Sequence, residues 1–224
     1  MFQDPAELEE KLGYHFINQK YLNKALTHRS YAAERKLNYS NERLEFLGDS
    51  VINLIVTEYL VEKFPDKTEG YLSKIKSHLV SSKNLYRWAK RVNLENYVKI
   101  SIAEMKSGGR EKPQILANTF EAIIAALYLD GGFDSAKRII RNLLECEKEI
   151  KIEDYKSTLQ ELCQKKFRVI PVYKIISEEG PQHKRRFKVS VVIKDKEVSD
   201  GEGYSKKEAE NNAAKKALAY IRGL

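Results

Sequence analysis

A short segment carries most of the structural information in this chain: Asn41-Glu42-Arg43-Leu44-Glu45-Phe46-Leu47-Gly48-Asp49-Ser50. Its carboxylates Glu42, Glu45 and Asp49 are spaced so that they share one face of a helix. The residues around them, up to Val56, are strongly apolar, so we expect this helix to be buried on most sides with its acidic face in a cleft. Like charges held that close favour a bound cation. The alternative is an ordinary solvated acidic face.

Length and composition indicate two domains and an anionic partner. The chain has 224 residues, with 40 Lys and Arg against 32 Asp and Glu, a net charge of +8. Its composition changes near residue 150, which predicts a first domain at 1–148, a charged linker at 149–153 and a second domain at 154–224. From Glu153 onward 16 basic residues stand against 11 acidic ones, so the last third holds +5 of the charge. A polyanion is the expected partner.

Two further features bear on where the protein works. We expect no apolar run to span a bilayer, and no signal pattern precedes Asp4, so a cytoplasmic protein that does not bind membranes is predicted. Cys146 and Cys163 are too few and too far apart for a disulfide framework or a zinc site. We interpret both as small apolar residues in a reducing compartment.

The first domain is predicted to be all-helical, since no convincing alternating strand precedes residue 170. Helical patterns cover 5–12, 20–27, 41–63, 71–79, 82–92, 113–129 and 134–149. The helix that starts at Pro113 carries Asn118 and Glu121 among apolar residues. Packed against the first acidic helix, Glu121 would meet Glu45 and Asp49 in a set of hard oxygen ligands that Mg²⁺ accepts. Glu69 could contribute from a loop at the rim, although such a charge is more often simply solvated.

After residue 154 the pattern changes to a helix, three strands and a helix. The strands are predicted at 172–177, 186–193 and 197–204, with one buried and one wet face. The final helix, at 205–221, opens with a capping Ser205 followed by Lys206 and Lys207. Backbone N–H groups and the helix dipole favour an anion such as phosphate there. The alternative is a pair of solvated lysines.

The acidic segment, together with Leu26-Thr27-His28-Arg29-Ser30-Tyr31 and Ala117-Asn118-Thr119-Phe120-Glu121-Ala122, resembles the bacterial ribonuclease III family. The resemblance covers essentially the whole chain. It implies an Mg²⁺-dependent endonuclease, with Mn²⁺ as a plausible substitute and no nucleotide cofactor, that cuts double-stranded RNA as a homodimer. Ribosomal, messenger and other structured RNA precursors are the implied substrates. Water rather than the ribose 2′-hydroxyl is expected to attack phosphorus, which leaves 5′-phosphate and 3′-hydroxyl ends.

The resemblance also implies roles for single residues. Metal ligands are matched by Glu45, Asp49, Asn118 and Glu121, and catalytic acids by Glu42, Asp49, Glu69 and Glu121. Phe46 matches an aromatic residue that enters the partner subunit at the dimer interface, although such a residue would otherwise be core. His28 is interpreted as a structural hydrogen-bonding or RNA-contacting residue rather than a general base.

The C-terminal α-β-β-β-α pattern, with the turn at Gly180-Pro181-Gln182-His183-Lys184-Arg185-Arg186, resembles a double-stranded RNA-binding domain. In that family the first helix and the turn enter successive minor grooves, and lysines span the phosphates between them. The resemblance assigns RNA contacts to Thr158, Gln160, Glu161, His183, Lys184, Lys206 and Lys207. Recognition should follow the A-form shape more than the base sequence.

The sequence departs from the family at one important position, because Asn118 stands where the family motif has aspartate. An amide oxygen still coordinates Mg²⁺, but the exchange removes a negative charge, so metal affinity and turnover should fall. Either the residue was introduced deliberately, as its isosteric character favours, or the natural chemistry is re-tuned. Two other functions follow as alternatives: a non-cleaving RNA-binding protein of the same fold, and a dimerisation scaffold with incidental acids.

Overall fold

The computed structural model divides the chain into two compact units, Met1–Ile150 and Lys151–Leu224. It describes residues 3–147, 155–181 and 185–222, so the predicted linker at 149–153 lies outside the described residues. The helices of the first unit are α1 (Pro5–Leu12), α2 (Gln19–Ala25), α3 (Arg29–Glu34), α4 (Glu42–Lys63), α5 (Glu69–Leu79), α6 (Ser82–Arg91), α7 (Ile102–Lys106) and α8 (Pro113–Glu145). The second unit contains α9 (Tyr155–Phe167), β1 (Val172–Glu179), β2 (Arg186–Ile193), β3 (Lys196–Gly203) and α10 (Lys206–Arg222).

The first unit is organised around α4 and α8, which pack side by side. Gly48 of α4 lies against the backbone of Glu121, where an added Cβ would come within 1.9 Å of the carbonyl oxygen. Further along, Glu58 of α4 pairs with Lys137 of α8 at 2.6 Å. Fully buried residues of both helices form the core between them: Ile55, Val56, Phe120, Ile123 and Ile124.

The long helix α8 is interrupted at Gly132, whose backbone has φ 77° and ψ −179°. This break falls between the two helices predicted at 113–129 and 134–149. A left-handed φ is cheap only for glycine. The break redirects the last part of α8 along the end of α4, where Arg141 pairs with Glu62.

Asp130 ties the interrupted part of α8 to the loop between α1 and α2. Its carboxylate accepts hydrogen bonds from the hydroxyl of Tyr14 at 2.8 Å and from the backbone N–H groups of Ile17 and Asn18 at 2.7 and 2.8 Å. Burial opposes ionisation of Asp130, but these donors outweigh it and lower its pKa. Burial and the Asp130 carboxylate raise the pKa of Tyr14 to about 12, so the tyrosine stays a donor.

The helix α8 also corrects one expectation. Among the described residues, Pro113–Glu145 has the length and hydropathy of a membrane span, whereas we expected no such run. Within its most apolar window, 61% is buried inside the protein. The apolar character of α8 is accounted for by its place in the core.

The second unit has the predicted α-β-β-β-α order, which confirms the fold class. Its strands form an antiparallel sheet in the order β1-β2-β3, and both helices pack on one face. Gly201 of β3 lets α10 approach closely, because an added Cβ would lie 2.1 Å from the backbone nitrogen of Ala213. Ser190 was expected on the wet face but is buried, since it lies in the central strand between Lys174 and Asp200.

Three expectations about the first unit and its end were wrong. The helix α4 is not buried on most sides, because Phe46 is 80% exposed and Leu54 58% exposed. Phe46 is therefore not a core residue of the single chain. The segment 29–34, which we did not assign to a helix, forms α3, and Cys146 is exposed rather than a packed apolar residue. Cys163 is buried as expected.

Gly48→Ala should destabilise the first unit by at least about 3 kcal/mol, because the new methyl group collides with backbone rather than with a flexible side chain. Gly70→Ala is the matched control. Gly70 lies in the first turn of α5 with no atom within 4 Å of an added Cβ, so its replacement should stabilise the helix by up to about 1 kcal/mol. Denaturant unfolding measures both, and equal stability of the two variants would contradict the close packing at Gly48.

Candidate active site

The crossing of α4 and α8 at Gly48 brings together four of the predicted site residues: Glu45, Asp49, Asn118 and Glu121. Asn118 on α8 donates a hydrogen bond from Nδ2 to Oε1 of Glu45 on α4 at 2.8 Å. One turn earlier, Gln114 donates to Oδ1 of Asn118 at 2.5 Å, which fixes the orientation of the amide. The amide therefore binds the carboxylate with its nitrogen side, and its oxygen is occupied by another amide.

Glu121 is the most perturbed acid of the site. Burial raises the pKa of its carboxyl group to about 7, and the negative charges of Asp49 and Glu45 add to the effect. The pKa of Glu45 is also raised, by burial first, although the hydrogen bond from Asn118 opposes the shift. A half-buried acid whose two charged neighbours are both negative is unfavourable unless it is protonated or meets a cation.

Asp49 is placed differently from the other two acids. It is exposed on the single chain, and Asn53 donates a hydrogen bond to its Oδ1 at 3.0 Å and to its backbone oxygen at 2.9 Å. Asn53 lies one turn further along α4, so it holds the Asp49 side chain along the helix. The acidic face was expected to lie in a cleft, but on the single chain Asp49 is exposed and does not line the cleft that Glu42 and Glu45 border.

The start of α4 is anchored to α8 by a buried polar contact. Asn41 donates from Nδ2 to the hydroxyl of Thr119 at 3.4 Å, and Thr119 in turn donates to the carbonyl of Ile115 at 2.7 Å. Asn41 therefore does not cap its own helix. This contact lies one residue from Asn118, so it fixes the relative height of the two acidic helices.

The donor chemistry of the site suits a hard divalent cation such as Mg²⁺. Carboxylate and amide oxygens are the ligands such a cation prefers. Burial and the negative charges of Asp49 and Glu45 raise the pKa of Glu121, and a cation would stabilise the ionised form that they disfavour. The observed side chains do not yet converge: within 3–147, 155–181 and 185–222, no three His, Cys, Asp or Glu side chains are grouped closely enough to hold a metal. In this conformation the Glu45 carboxylate is directed at Asn118 instead.

A cleft of about 810 Å³ opens beside these residues. Its lining comprises His28, Arg29, Ser30, Ala33, Asn41, Glu42, Glu45, Glu104, Lys112, Gln114, Ile115 and Asn118. Glu42 is exposed at the rim and pairs with Arg29 at 3.8 Å. The lining of the cleft thus combines acids and amides of α4 and α8 with two cations, Arg29 of α3 and Lys112 directly before α8.

His28 has the structural hydrogen bond that the sequence suggested. It precedes α3, and its Nδ1 accepts from the backbone N–H of Ser30 at 3.2 Å and lies 2.8 Å from the Ser30 hydroxyl. Burial is the main cause that lowers its pKa. Ser30 also accepts a hydrogen bond from the backbone N–H of Ser101 at 3.1 Å, so His28 helps to join α3 to α7.

Glu69 lies apart from this cleft. It is the first residue of α5 rather than part of a loop, and its carboxylate accepts a hydrogen bond from Ser73 at 2.5 Å. Glu69 is not among the residues that line the cleft. The structure of the single unit therefore does not bring Glu69 together with Glu45 and Glu121.

In the second unit, the predicted RNA-binding residues that the structure describes are all exposed: Thr158, Gln160, Glu161, Lys206 and Lys207. The predicted contacts His183 and Lys184 lie outside the described residues. The start of α10 has a cap, because Ser205 accepts from the N–H of Glu208 at 3.2 Å and Glu208 accepts from the N–H of Tyr204 at 2.7 Å. The Lys206 ammonium lies 5.7 Å from the centre of the Phe187 ring, which packs its stem against β2.

Sequence reasoning missed the basic residues of the cleft. Arg29 belongs to a family motif but was assigned no role, and no role was predicted for Glu104, Lys112 or Gln114. One local signal was present, since Ser101 caps α7 and accepts from the N–H of Glu104 at 3.1 Å, a spacing that the sequence shows. No local pattern places Lys112 beside Glu104, because that contact depends on how α7 packs against the start of α8.

Comparison with protein families gives two matches along the chain. Residues 18–146 match the family model described as Ribonuclease-III-like. Residues 155–221 match the one described as Double-stranded RNA binding motif. The two matches fall within the two compact units of the structure.

Individual proteins give the same result. Ribonuclease 3 of Sulfurovum sp. is 44% identical over 224 residues, with 98% of this chain and 99% of the relative covered. Ribonuclease 3 of Clostridium beijerinckii is 47% identical, with 97% and 96% covered. Among solved structures, the nuclease domain of ribonuclease III from Campylobacter jejuni is 43% identical, covers 66% of this chain and 99% of its own length, and has a TM-score of 0.61.

In metal-free buffer, the stability of this protein should rise as the pH falls from about 8 to about 5.5, more than that of Glu121→Gln. The pKa of Glu121 is about 7 in the folded protein, against an ordinary value of 4.5 that applies to the unfolded chain. Between pH 4.5 and about 7, the folded state therefore binds a proton that the unfolded chain does not. Thermal unfolding at several pH values should show a gap between the two proteins that closes towards high acidity. Glu10→Gln, at an exposed position of α1, is the control. Parallel profiles for Glu121→Gln and the parent would refute the shift.

Proposed function

This chain belongs to the ribonuclease III family, and we propose that it is an Mg²⁺-dependent endonuclease that cleaves double-stranded RNA. The observation that carries the proposal is the acidic crossing of α4 and α8, in a chain that also contains a double-stranded RNA-binding motif. A protein that only binds RNA has no need for an acid such as Glu121, whose pKa is raised by burial and by negative neighbours and which therefore lowers stability at neutral pH.

Four residues would hold the metal: Glu45, Asp49, Asn118 and Glu121. Bound Mg²⁺ or Mn²⁺ would supply Lewis acidity at the phosphate group and neutralise charge that develops during hydrolysis. The chain itself contributes the buried contact of Asn41 with Thr119, which fixes the acids of α4 relative to those of α8. Glu45 must leave its hydrogen bond with Asn118 before both oxygen ligands point to one centre.

Asn118 supports the further proposal that this chain is slower than a form with aspartate at the same position. The amide relieves the repulsion at Glu45 by donating a hydrogen bond, whereas a carboxylate would add to it. This hydrogen bond stabilises the metal-free protein, and it makes the free energy of cation binding less favourable by the same amount. The site would therefore need a higher metal concentration to reach full occupancy.

The products would carry 5′-phosphate and 3′-hydroxyl ends, and the substrates would be duplex regions of ribosomal, messenger and other structured RNA precursors. Binding would rest on the second unit, through the exposed faces of α9 and the start of α10. Lys206 and Lys207 follow a capped helix start, where a phosphate is favoured by both side chains and backbone. Binding should therefore depend strongly on salt.

A homodimer is proposed because α4 leaves large apolar side chains exposed. Phe46, Leu54 and Val61 lie on one side of this helix and span about four helical turns, and each is more than half exposed. A solved structure of the Campylobacter jejuni nuclease domain is described by the flexibility of its region involved in dimer formation; it is 45% identical to this chain, covers 96% of its own length and 63% of this chain, and has a TM-score of 0.60. A second copy of α4 would cover such a face.

The alternative function is a non-cleaving protein of the same fold that binds double-stranded RNA. Asn118 is the observation that favours it, because one of the site's carboxylates is replaced by an amide. Both functions share the second unit, so they differ in turnover and not in binding.

Asn118→Asp should raise Mg²⁺-dependent cleavage of a long RNA duplex by at least about tenfold, because it restores a charged ligand. Duplex affinity should stay nearly unchanged. Single-turnover assays of both proteins over a range of Mg²⁺ concentrations test this, with Glu121→Gln as the inactive control. Equal rates would disprove the assignment of Asn118 as a weakened ligand. Binding without cleavage by either protein would favour the alternative function.

Phe46→Ala should weaken dimerisation by at least about 100-fold, since a symmetric interface loses two buried aromatic rings per dimer. Sedimentation over a concentration series measures the dissociation constant. Tyr220→Ala, at an exposed aromatic position of α10, is the control and should leave it unchanged. A parent protein that stays monomeric at high concentration would overturn the proposed dimer.

A further inference from the structure

The cleft beside the acidic crossing has two cationic residues in its lining, Arg29 and Lys112. Both belong to segments that start at the cleft, since Arg29 opens α3 and Lys112 directly precedes α8. The same cleft is lined by Glu45 and Asn118. A polyanion that reaches those two residues therefore enters a space that the two cations also border.

Each cation is held by an acid that lies outside the proposed metal ligands. Lys112 contacts Oε1 of Glu104 at 2.5 Å and the Ser107 hydroxyl at 3.1 Å, while Arg29 lies 3.8 Å from Glu42. These pairs are partly open to solvent, with 45% of the Lys112 side chain and 73% of the Arg29 side chain exposed. Exposed ion pairs contribute little to the free energy of unfolding, so stabilisation of the fold does not by itself account for these two pairs.

The four charged groups line the cleft together with His28. The charges of Glu104, Arg29, Glu42 and Lys112 all act on the pKa of His28, although burial dominates that shift. The two ion pairs therefore line the same cleft as His28, within the range at which their charges act on its imidazole.

In the proposed reaction, negatively charged phosphate groups must approach acidic side chains, and cations beside the acids would reduce the repulsion. A phosphate group must approach Glu45, Asp49 and Glu121, which are negative, and a duplex carries a charge at every neighbouring nucleotide as well. A cation that takes up a neighbouring phosphate offsets this repulsion and fixes the register of the strand. A lysine or arginine that a carboxylate already holds in position loses less side-chain entropy when it binds a phosphate.

We infer that Lys112 and Arg29 bind the phosphate groups that flank the scissile one, and that Glu104 and Glu42 are positioning residues that hold these two cations in place. The inference rests on the proposed function and extends it to the backbone of the RNA substrate. It gives Glu42 a role through Arg29 rather than at the metal. It also gives Glu104, which the metal site does not use, a role through Lys112.

The test compares Lys112→Gln with the full-length parent on a duplex that contains one neutral methylphosphonate linkage, moved one nucleotide at a time around the cleavage site. A 2′-deoxyribose on the 5′ side keeps that linkage stable, and the same duplex with an ordinary phosphate is the reference. Affinity is measured in Ca²⁺ and cleavage in Mg²⁺. Lys106→Gln is the matched control, because Lys106 is exposed on α7 and is not part of the cleft lining.

Lys112→Gln should weaken duplex binding about fivefold to tenfold and reduce the salt dependence of binding by about one counterion. KM should rise by the same factor, with kcat much less affected. The parent should lose a similar factor at one methylphosphonate position next to the cleavage site, and the variant should lose nothing further there. Lys112→Arg should restore most of the affinity, and Glu104→Gln should show a smaller loss at the same linkage.

The inference is overturned if Lys112→Gln matches Lys106→Gln, or if the variant and the parent respond alike at every methylphosphonate position. A loss that is the same with the neutral linkage as without it would mean that Lys112 acts only through the fold. Absence of cleavage by the parent would refute the proposed endonuclease but not this contact, because the affinity measurements do not depend on turnover.

Discussion

The nuclease unit depends on one close approach, at which the backbone of α4 at Gly48 touches the backbone of α8 at Glu121. A side chain there would force the helices apart, and the separation would be felt directly at Glu45 and Asn118, which now share a hydrogen bond at 2.8 Å. The contact therefore does two things at once. It closes the apolar core of the unit, and it brings acids from two helices within the range at which their charges interact.

The same contact makes the site costly. The pKa of Glu121 is raised because burial and two negative neighbours oppose its ionisation, and an acid in that state reduces stability at neutral pH. Asn118 lowers the cost by donating to Glu45, and a cation would lower it further. Each negative charge removed from the crossing therefore stabilises the metal-free protein and lowers its affinity for a metal ion.

Much of this arrangement was predictable from sequence, and the failures have a common cause. The spacing of acids in α4 and α8 predicts a shared face, and the alternation in β2 predicts the sheet, because both depend on local periodicity. The pairing of Lys112 with Glu104 was not predicted, and the exposure of Phe46 was indicated by the family resemblance but not by the local pattern. An apolar residue on a helix has the same periodicity whether its partner is this chain or a second copy. A contact between α7 and the start of α8 has no periodicity at all.

In both units a glycine allows a helix to pack closely against a neighbouring element, but the two units differ in charge. Gly201 lets α10 lie close on the sheet as Gly48 lets α8 lie close on α4, but the second unit carries most of the net positive charge and the first concentrates acids at its crossing. In the proposed function, an RNA duplex would be attracted by the second unit and repelled at the acidic crossing of the first. Cations beside that crossing, at Arg29 and Lys112, are where the two requirements meet. Affinity for the duplex and turnover can then change separately, since a substitution at 118 alters the crossing without touching the basic unit.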